Sequence, residues 1–265
     1  MSRVLHLSDT HFGTEQPLVV DALDRCIGAL APDVIVHSGD VTQRARASEF
    51  RAARAWMNRH PTPRWLVVPG NHDVPLWSVV ERCVRPYARF ERGLGQARET
   101  ELNLGDLLVL GVDTTRPWRH KHGDVSRSQV ARVAARLEAA TPKQLRVVVT
   151  HQPLHVITER DRRNRVRGAE HAVAAWTAAG ADLLLGGHIH LPYVRALHEA
   201  RPLSRRVWTV QAGTAISWRT RGRHPNSFFV VNHAFRAGCV VERWDFDDVS
   251  LRFAAAERTE LELDA

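Results

Sequence analysis

Lysine is nearly absent from this 265-residue chain: of 37 basic side chains only Lys121 and Lys143 are not arginine. Cysteine is as scarce. Cys26, Cys83 and Cys239 are odd in number, far apart and never paired as Cys-x-x-Cys. That excludes a zinc ribbon and argues against a disulfide framework, so buried free thiols are expected. No apolar run approaches the length of a membrane span, and the first residues enter a strand with no stretch long enough for a signal peptide. A soluble cytoplasmic protein without membrane association is the expectation. Aromatic residues make up only 7% of the chain, with eight tryptophans, eight phenylalanines and two tyrosines, which leaves a core mostly of Val, Leu and Ala.

The formal charge is +8. A basic balance favours polyanionic partners, nucleic acid among them. The arginines are spread along the whole chain, however, which fits the coding bias of a GC-rich genome better than one binding face. The remaining composition, 44% hydrophobic and 25% charged, is ordinary for a globular protein. Residues 1–265 are expected to form one domain, with 1–195 carrying the informative motifs and 196–265 rich in strands.

Short β-branched runs at 3–7, 34–37, 65–68, 145–150 and 183–185 read as strands, and helical spacing appears at 17–30, 47–59, 79–90, 126–139 and 170–179. Ser126 is a plausible N-cap, and Gly105-Asp106 marks a hairpin. Strands alternating with helices, then strands alone, predict a layered α/β domain with mixed sheets. The arginine-rich stretches 159–167 and 219–225 read as exposed loops, either solvated or touching phosphate.

Each of five strand-like runs ends in oxygen or nitrogen ligands: Asp9-Thr10-His11, Gly39-Asp40, Gly70-Asn71-His72-Asp73, Thr150-His151 and Gly186-Gly187-His188-Ile189-His190. A lone histidine is more often a satisfied core residue; five such strand ends are hard to explain that way. On an extended segment the spacing Asp9-x-His11 points both side chains to one face, and His188-x-His190 repeats it. Glycines 39, 70, 186 and 187 let the backbone turn sharply and approach an ion. A single zinc needs about four ligands. Asp9, His11, Asp40, Asn71, His151, His188 and His190 supply seven, enough for two metals roughly 3.5–4 Å apart that share a carboxylate. Carboxylate, amide and imidazole donors suit two divalent or trivalent ions of Mn, Fe, Zn or Co. Such a pair deprotonates a bridging water and neutralises a phosphoryl oxygen, which makes phosphoester hydrolysis the natural reaction. The leaving alkoxide still needs an acid. His72 is free for that task, and Asp73 is expected to hold its ring.

These five motifs, in this order, resemble the calcineurin-like binuclear metallophosphoesterase superfamily. The resemblance implies a four-layer αββα sandwich with two mixed β-sheets. It implies that Asp9, His11, Asp40 and His190 hold one metal, and that Asp40, Asn71, His151 and His188 hold the other. Asp40 then bridges the two metals, and His72 is the catalytic histidine. Residues 5–12 and 38–42, together with Asp113, Gly123-Asp124-Val125 and Gln129, are similar to the class III cyclic-nucleotide phosphodiesterase branch. The reading that follows is hydrolysis of a small phosphodiester such as a cyclic nucleotide. A nuclease or nucleic-acid end-processing enzyme is the alternative, and a non-catalytic scaffold is disfavoured by the intact ligands. Residues 115–122 are expected near substrate, with Arg116, Arg119, His120 and His122 as contacts and Trp118 able to stack on a base. The strands within 227–257 are expected to extend the sheets; contacts in a homodimer are the other option.

Overall fold

Alternation along each strand sorts its side chains to two faces, and that sorting builds the layers. The computed structural model describes residues 2–76, 78–234 and 238–264. Met1, Trp77, 235–237 and Ala265, which the single-domain expectation includes, lie outside the described residues. In chain order the elements are β1 (Ser2–Leu7), α1 (Pro17–Leu30), β2 (Val34–His37), α2 (Ala47–Met57), β3 (Arg64–Val67), α3 (Val79–Val84), α4 (Ala88–Leu94), β4 (Glu101–Leu104) and β5 (Leu107–Gly111). They continue as α5 (Arg127–Glu138), β6 (Leu145–Val149), α6 (Ala169–Ala178), β7 (Leu183–Gly186), β8 (Tyr193–Ala196), α7 (Leu197–Ala200), β9 (Trp208–Gln211), β10 (Ser227–Ala234), β11 (Gly238–Asp247) and β12 (Arg252–Leu261).

The first sheet runs β12-β11-β10-β1-β2-β3 and the second β4-β5-β6-β7-β9-β8. β1, β2 and β3 are parallel, as are β5, β6, β7 and β9. The flanking strands β10, β4 and β8 pair antiparallel, so both sheets are mixed as expected. Val4, Val36 and Leu66 of the first sheet meet Val109, Val147 and Leu185 of the second in a buried cluster between the sheets. On the first sheet's outer face Leu5, Ile35 and Phe228 pack against Leu23 of α1 and Phe50 of α2. On the second sheet's outer face Val148 and Leu184 pack against Val133 of α5 and Trp176 of α6. The result is the four-layer αββα sandwich.

Local chemistry sets the boundaries. Ser126 caps α5: its hydroxyl accepts from the Gln129 amide, and the Gln129 side chain accepts from the Ser126 amide at 3.0 Å. The helix expected over 79–90 is two helices, because Pro86 lacks an N–H and forces Arg85 out of the helical region. The stretch at 159–167 is not a free loop: Glu159–Asn164 is a 3₁₀ turn whose Asp161 is buried and ion-paired with Arg221. Of the cysteines only Cys239 is buried; Cys26 is half-buried and Cys83 exposed. β10, β11 and β12 extend the first sheet outward from β1. Among the described residues no helix is long and apolar enough to cross a membrane.

The fully buried Trp176 fills the layer between α5, α6 and the second sheet, and its indole N–H donates to the Val130 carbonyl at 3.1 Å. Trp176→Ala should therefore lower unfolding stability by about 3–5 kcal/mol. An unchanged urea midpoint would show that this layer does not depend on it.

Candidate metal centre

The parallel strands of both sheets end at a common edge. β1 leads to Asp9 and His11, β2 to Asp40, β3 to Asn71 and His72, β6 to His151, and β7 to His188 and His190. The backbone there is not extended. Asp9, His11, Asp40, His188 and His190 all have left-handed φ between 45° and 73°, and they are five of the eight such non-glycine residues described. Each costs of order 1 kcal/mol or more, and strain of this kind gathers at functional sites. This corrects the extended Asp9-x-His11 geometry: left-handed turns, not pleat alternation, aim the two side chains together. Backbone bonds between loops fix those turns, with Asp9 N–H donating to Gly39 O and His11 N–H to Asp40 O, both at 3.0 Å. A Cβ on Gly187 would lie 1.9 Å from Ser8 Oγ and 2.6 Å from Asp9 Oδ2, and one on Gly70 would lie 2.1 Å from the Asp40 amide nitrogen. Only glycine lets these loops interleave.

All seven residues read from the sequence as ligands come together here. Asp9, His11 and His190 form one cluster and Asp40, His151 and His188 another. His190 Nε2 is 3.1 Å from Asp9 Oδ1, and His11 Nε2 is 3.3 Å from His190 Nε2. His151 Nε2 lies 3.3 Å from both Asp40 Oδ1 and Asn71 Oδ1. His11 Nε2 is 3.8 Å from Asp40 Oδ2, so Asp40 stands between the clusters.

The donor set fits a pair of cations. His151 Nδ1 donates to the Ser38 carbonyl at 2.7 Å, and His190 Nδ1 donates to the Arg219 carbonyl. Carbonyls only accept, so each Nδ1 carries the proton and each Nε2 is left to bind inward. Asp9 Oδ1 is buried and faces only the imidazoles of His190 and His11, at 3.1 and 3.6 Å, so it is aimed into the cluster. Burial raises Asp40, but His151, His72 and His11 hold its carboxyl well below the usual range. Burial likewise lowers His151, yet Asp40 outweighs it and pushes His151 up to about 9. Positive charge on His151 thus answers the carboxylate, and a bound cation would supply charge of the same sign at the same place.

Two further buried histidines brace the loops. Thr10 Oγ1 donates to the Val41 carbonyl, so His37 Nε2 donates to Thr10 and His37 Nδ1 accepts from the Gly39 amide. Burial lowers His37 to about 4 and His6 to about 3, which keeps both neutral.

A family model described as calcineurin-like phosphoesterase matches residues 2–192. The chain belongs to this family. It is 26% identical over 204 residues to a cAMP/cGMP dual specificity phosphodiesterase of Mycobacterium tuberculosis, covering 71% of this chain and 61% of that protein. It is 26% identical over 162 residues to a glycerophosphodiester phosphodiesterase of Enterobacter lignolyticus, covering 56% of each. The chain thus spans about 60% of the length of these relatives. Its fold is shared with a purple acid phosphatase from yellow lupin (TM-score 0.76, 12% identity, 98% of this chain and 53% of that one). It is shared also with a dimetal phosphatase from Danio rerio (TM-score 0.67, 13% identity, 99% of each).

In this chain Asp73 does not hold the His72 ring. Its buried carboxylate accepts from the amides of Gly70, Val41 and Thr42 and from the Thr42 hydroxyl, at 2.8–3.1 Å. Four donors within the loops use up the acceptor capacity that His72 would need. His72 Nδ1 donates instead to the Gln43 carbonyl at 2.8 Å.

The loop at 115–122 also differs from expectation. The Arg116 guanidinium turns inward to the carbonyls of Asp113 and Thr115 and to Gln129 Oε1. Arg119 closes a tight turn on the Arg116 carbonyl, and His122 Nδ1 donates to Arg163 O. Trp118 is exposed beside a separate cavity that Arg116 also lines. His120 and Lys121 line a cavity bounded by His72.

Side chains from the basic stretches 159–167 and 219–225, which the sequence left as solvated or touching phosphate, surround the clusters together with Lys121. Lys121, Arg160, Asn164, Arg219 and Arg221 line a cavity of about 280 Å³ with Asp40, Asn71, His72, His188 and His190. An Arg219 guanidinium nitrogen lies 2.8 Å from Gln43 Oε1, 3.3 Å from His72 Nε2 and 3.5 Å from His11 Nδ1. The arginine run at 219–223 was the available signal, read there as a loop.

Gly187→Ala should lower Mn²⁺ affinity about 10–100-fold, because the added methyl displaces Ser8 and Asp9. Calorimetric titration of the variant measures this, and wild-type affinity would show that the close packing at Gly187 is not required.

Proposed function

We propose that this phosphoesterase hydrolyses a small phosphodiester with two metal ions, drawn from Mn, Fe, Zn and Co. Asp9, His11, Asp40 and His190 would hold one ion and Asp40, Asn71, His151 and His188 the other. The observation that carries the reading is the position of Asp40 between two nitrogen- and oxygen-rich clusters, with the His72 ring 4.9 Å from the His11 ring. When bound, the metals supply a nucleophile from water and withdraw charge from the phosphoryl group.

The remaining steps belong to the chain. Because His72 Nδ1 is committed to Gln43, Nε2 is the ring atom that can give a proton to the departing alkoxide oxygen. The His72 amide donates to Asp40 Oδ1 at 2.7 Å, which ties the acid's position to the shared carboxylate. Arg219 donates to His72 Nε2 at 3.3 Å. A phosphoryl oxygen is the stronger acceptor for that guanidinium, so substrate would draw Arg219 away and let Nε2 take up a proton from water and hold it for the leaving oxygen. Arg160 and Lys121 add positive charge to the same wall.

A cavity of about 280 Å³ fits a small diester better than a strand of nucleic acid. Arg221, the other cation on that wall, is already paired with Asp161 and the Ile189 carbonyl. The named relatives act on cyclic nucleotides and glycerophosphodiesters, which supports the same class. The reading treats residues 1–265 as one domain, supported by β10 to β12 continuing the sheet of β1.

A hydrolysis panel with Mn²⁺ tests it: bis-p-nitrophenyl phosphate, its monoester, cyclic AMP, 2′,3′-cyclic nucleotides and single-stranded DNA. Turnover of DNA alone would replace the small-diester reading. His72→Ala should keep both metals and lose about 10²–10⁴-fold in kcat for poor leaving groups, with much less loss for p-nitrophenolate. Equal losses for both would remove the acid role. Arg219→Ala should lower kcat/KM about 10–100-fold, mainly through KM, with metal content retained. Unchanged kinetics would confine Arg219 to packing.

A further inference from the structure

A second cavity, of about 630 Å³, shares Asn71, His72 and Lys121 with the metal-side cavity and then runs toward α3. Its exposed wall is mostly carbon, unlike its neighbour's, and Leu76, Val79 and the largely buried Val74 line it together with Gln43, Arg44, His120 and Lys121. The Arg82 guanidinium stays charged, but it turns two of its nitrogens to the carbonyls of Pro75 and Pro117. α3 buries none of its six residues, and Val79 and Leu76 are 68% and 43% exposed. Single exposed apolar residues are common on protein surfaces. Apolar residues lining a cavity against the ring of a candidate acid are not explained that way.

We infer that this cavity receives the leaving alcohol of the diester, and that this alcohol carries an apolar or flat aromatic body. The inference rests on the hydrolytic reading above. In-line displacement puts the entering water and the departing oxygen on opposite sides of phosphorus. The apolar cavity adjoins the metal-side cavity along Asn71, His72 and Lys121, so an alcohol leaving past His72 enters it. Water adds to phosphorus, the bond to the alcohol oxygen breaks, and that oxygen takes the proton from His72 Nε2. An acyclic diester gives a monoester, held by the cationic wall, and a free alcohol in the apolar cavity; a cyclic diester opens to one monoester whose freed hydroxyl and its body lie there. The proton lost by the attacking water leaves through solvent and restores His72. A nucleoside base and an alkyl chain share this chemistry.

The test uses methyl phosphodiesters of 2-naphthol and of 3-hydroxybenzamide, alcohols of similar acidity that differ in polarity. The Mn²⁺-loaded full chain should favour the naphthyl ester about tenfold or more in kcat/KM. Leu76→Asp and Val79→Asp, both at exposed positions that should leave folding intact, should collapse that ratio. Calorimetric binding of 2-naphthyl methylphosphonate to the metal-free protein should weaken about tenfold in the same variants. A wild type without preference, or equal loss for both esters, overturns the inference. Should no diester be turned over, the hydrolytic reading fails, and the binding arm still decides the cavity: naphthyl binding that is absent, or undiminished in Leu76→Asp, overturns it. Cyclic AMP and an alkyl glycerophosphodiester, run on the same variants, separate the two sources; the one whose rate falls identifies the body the cavity holds.

Discussion

A carboxylate buried to 2% exposure, Asp40, lies where both sheets meet, and the rest of the centre follows from keeping it charged. An isolated carboxylate in such a place would be very costly. Asp40 is instead answered from every side: His151 from the second sheet, His11 from the loop after β1, and the His72 amide from the loop after β3. These partners come from distant parts of the chain. They converge because the apolar layer between the sheets sets β2 beside β1 and β3 and opposite β6 and β7. Hydrophobic burial thus does the work of assembly, and the assembled edge concentrates charge that only protons or cations can balance.

The left-handed residues belong to the same constraint. A ligand on a regular strand would aim its side chain into one of the apolar layers. Turning Asp9, His11, Asp40, His188 and His190 into the left-handed region lifts them out of the pleat and onto the edge. The cost is met by loops that interlock through backbone bonds and through contacts that Gly70 and Gly187 alone permit.

This explains what could be read in the sequence and what could not. Strands that end in Asp, His or Asn are legible because the apolar run and its ligands are neighbours in the chain. The αββα layering was legible through the resemblance those motifs carry. The left-handed backbone was not, since Asp9-x-His11 has the same spacing whether extended or turned. Arg219 was legible only as one arginine of a stretch that could touch phosphate: it meets His72 and His11 through the folding of a loop after β9, far along the chain. Arg116 fails in the converse way. It sits in a loop of suitable charge, but the carbonyls of Asp113 and Thr115 satisfy it locally, and nothing in its spacing distinguishes an arginine so used from one facing substrate.

Asp73 shows how a motif can conceal the job of its own residues. Adjacency to His72 suggests a carboxylate–imidazole pair, yet the 3₁₀ turn at Asn71–Asp73 points the carboxylate down into the loop after β2. There it ties Gly70 to Val41 and Thr42, so the turn carrying Asn71 and His72 is fastened to the turn carrying Asp40. The His72 amide can then reach Asp40 while the His72 ring is held by Gln43, a residue of that same fastened loop. His72, the proposed acid, and Asp40, the carboxylate between the clusters, are thereby fixed relative to one another through backbone. Fixing by backbone tolerates little drift, and proton transfer demands that the donor stay within hydrogen-bond reach of one oxygen. The tetrapeptide is therefore better described as a clamp between two loops than as a ligand beside an acid, and Asp73 as the residue that closes it.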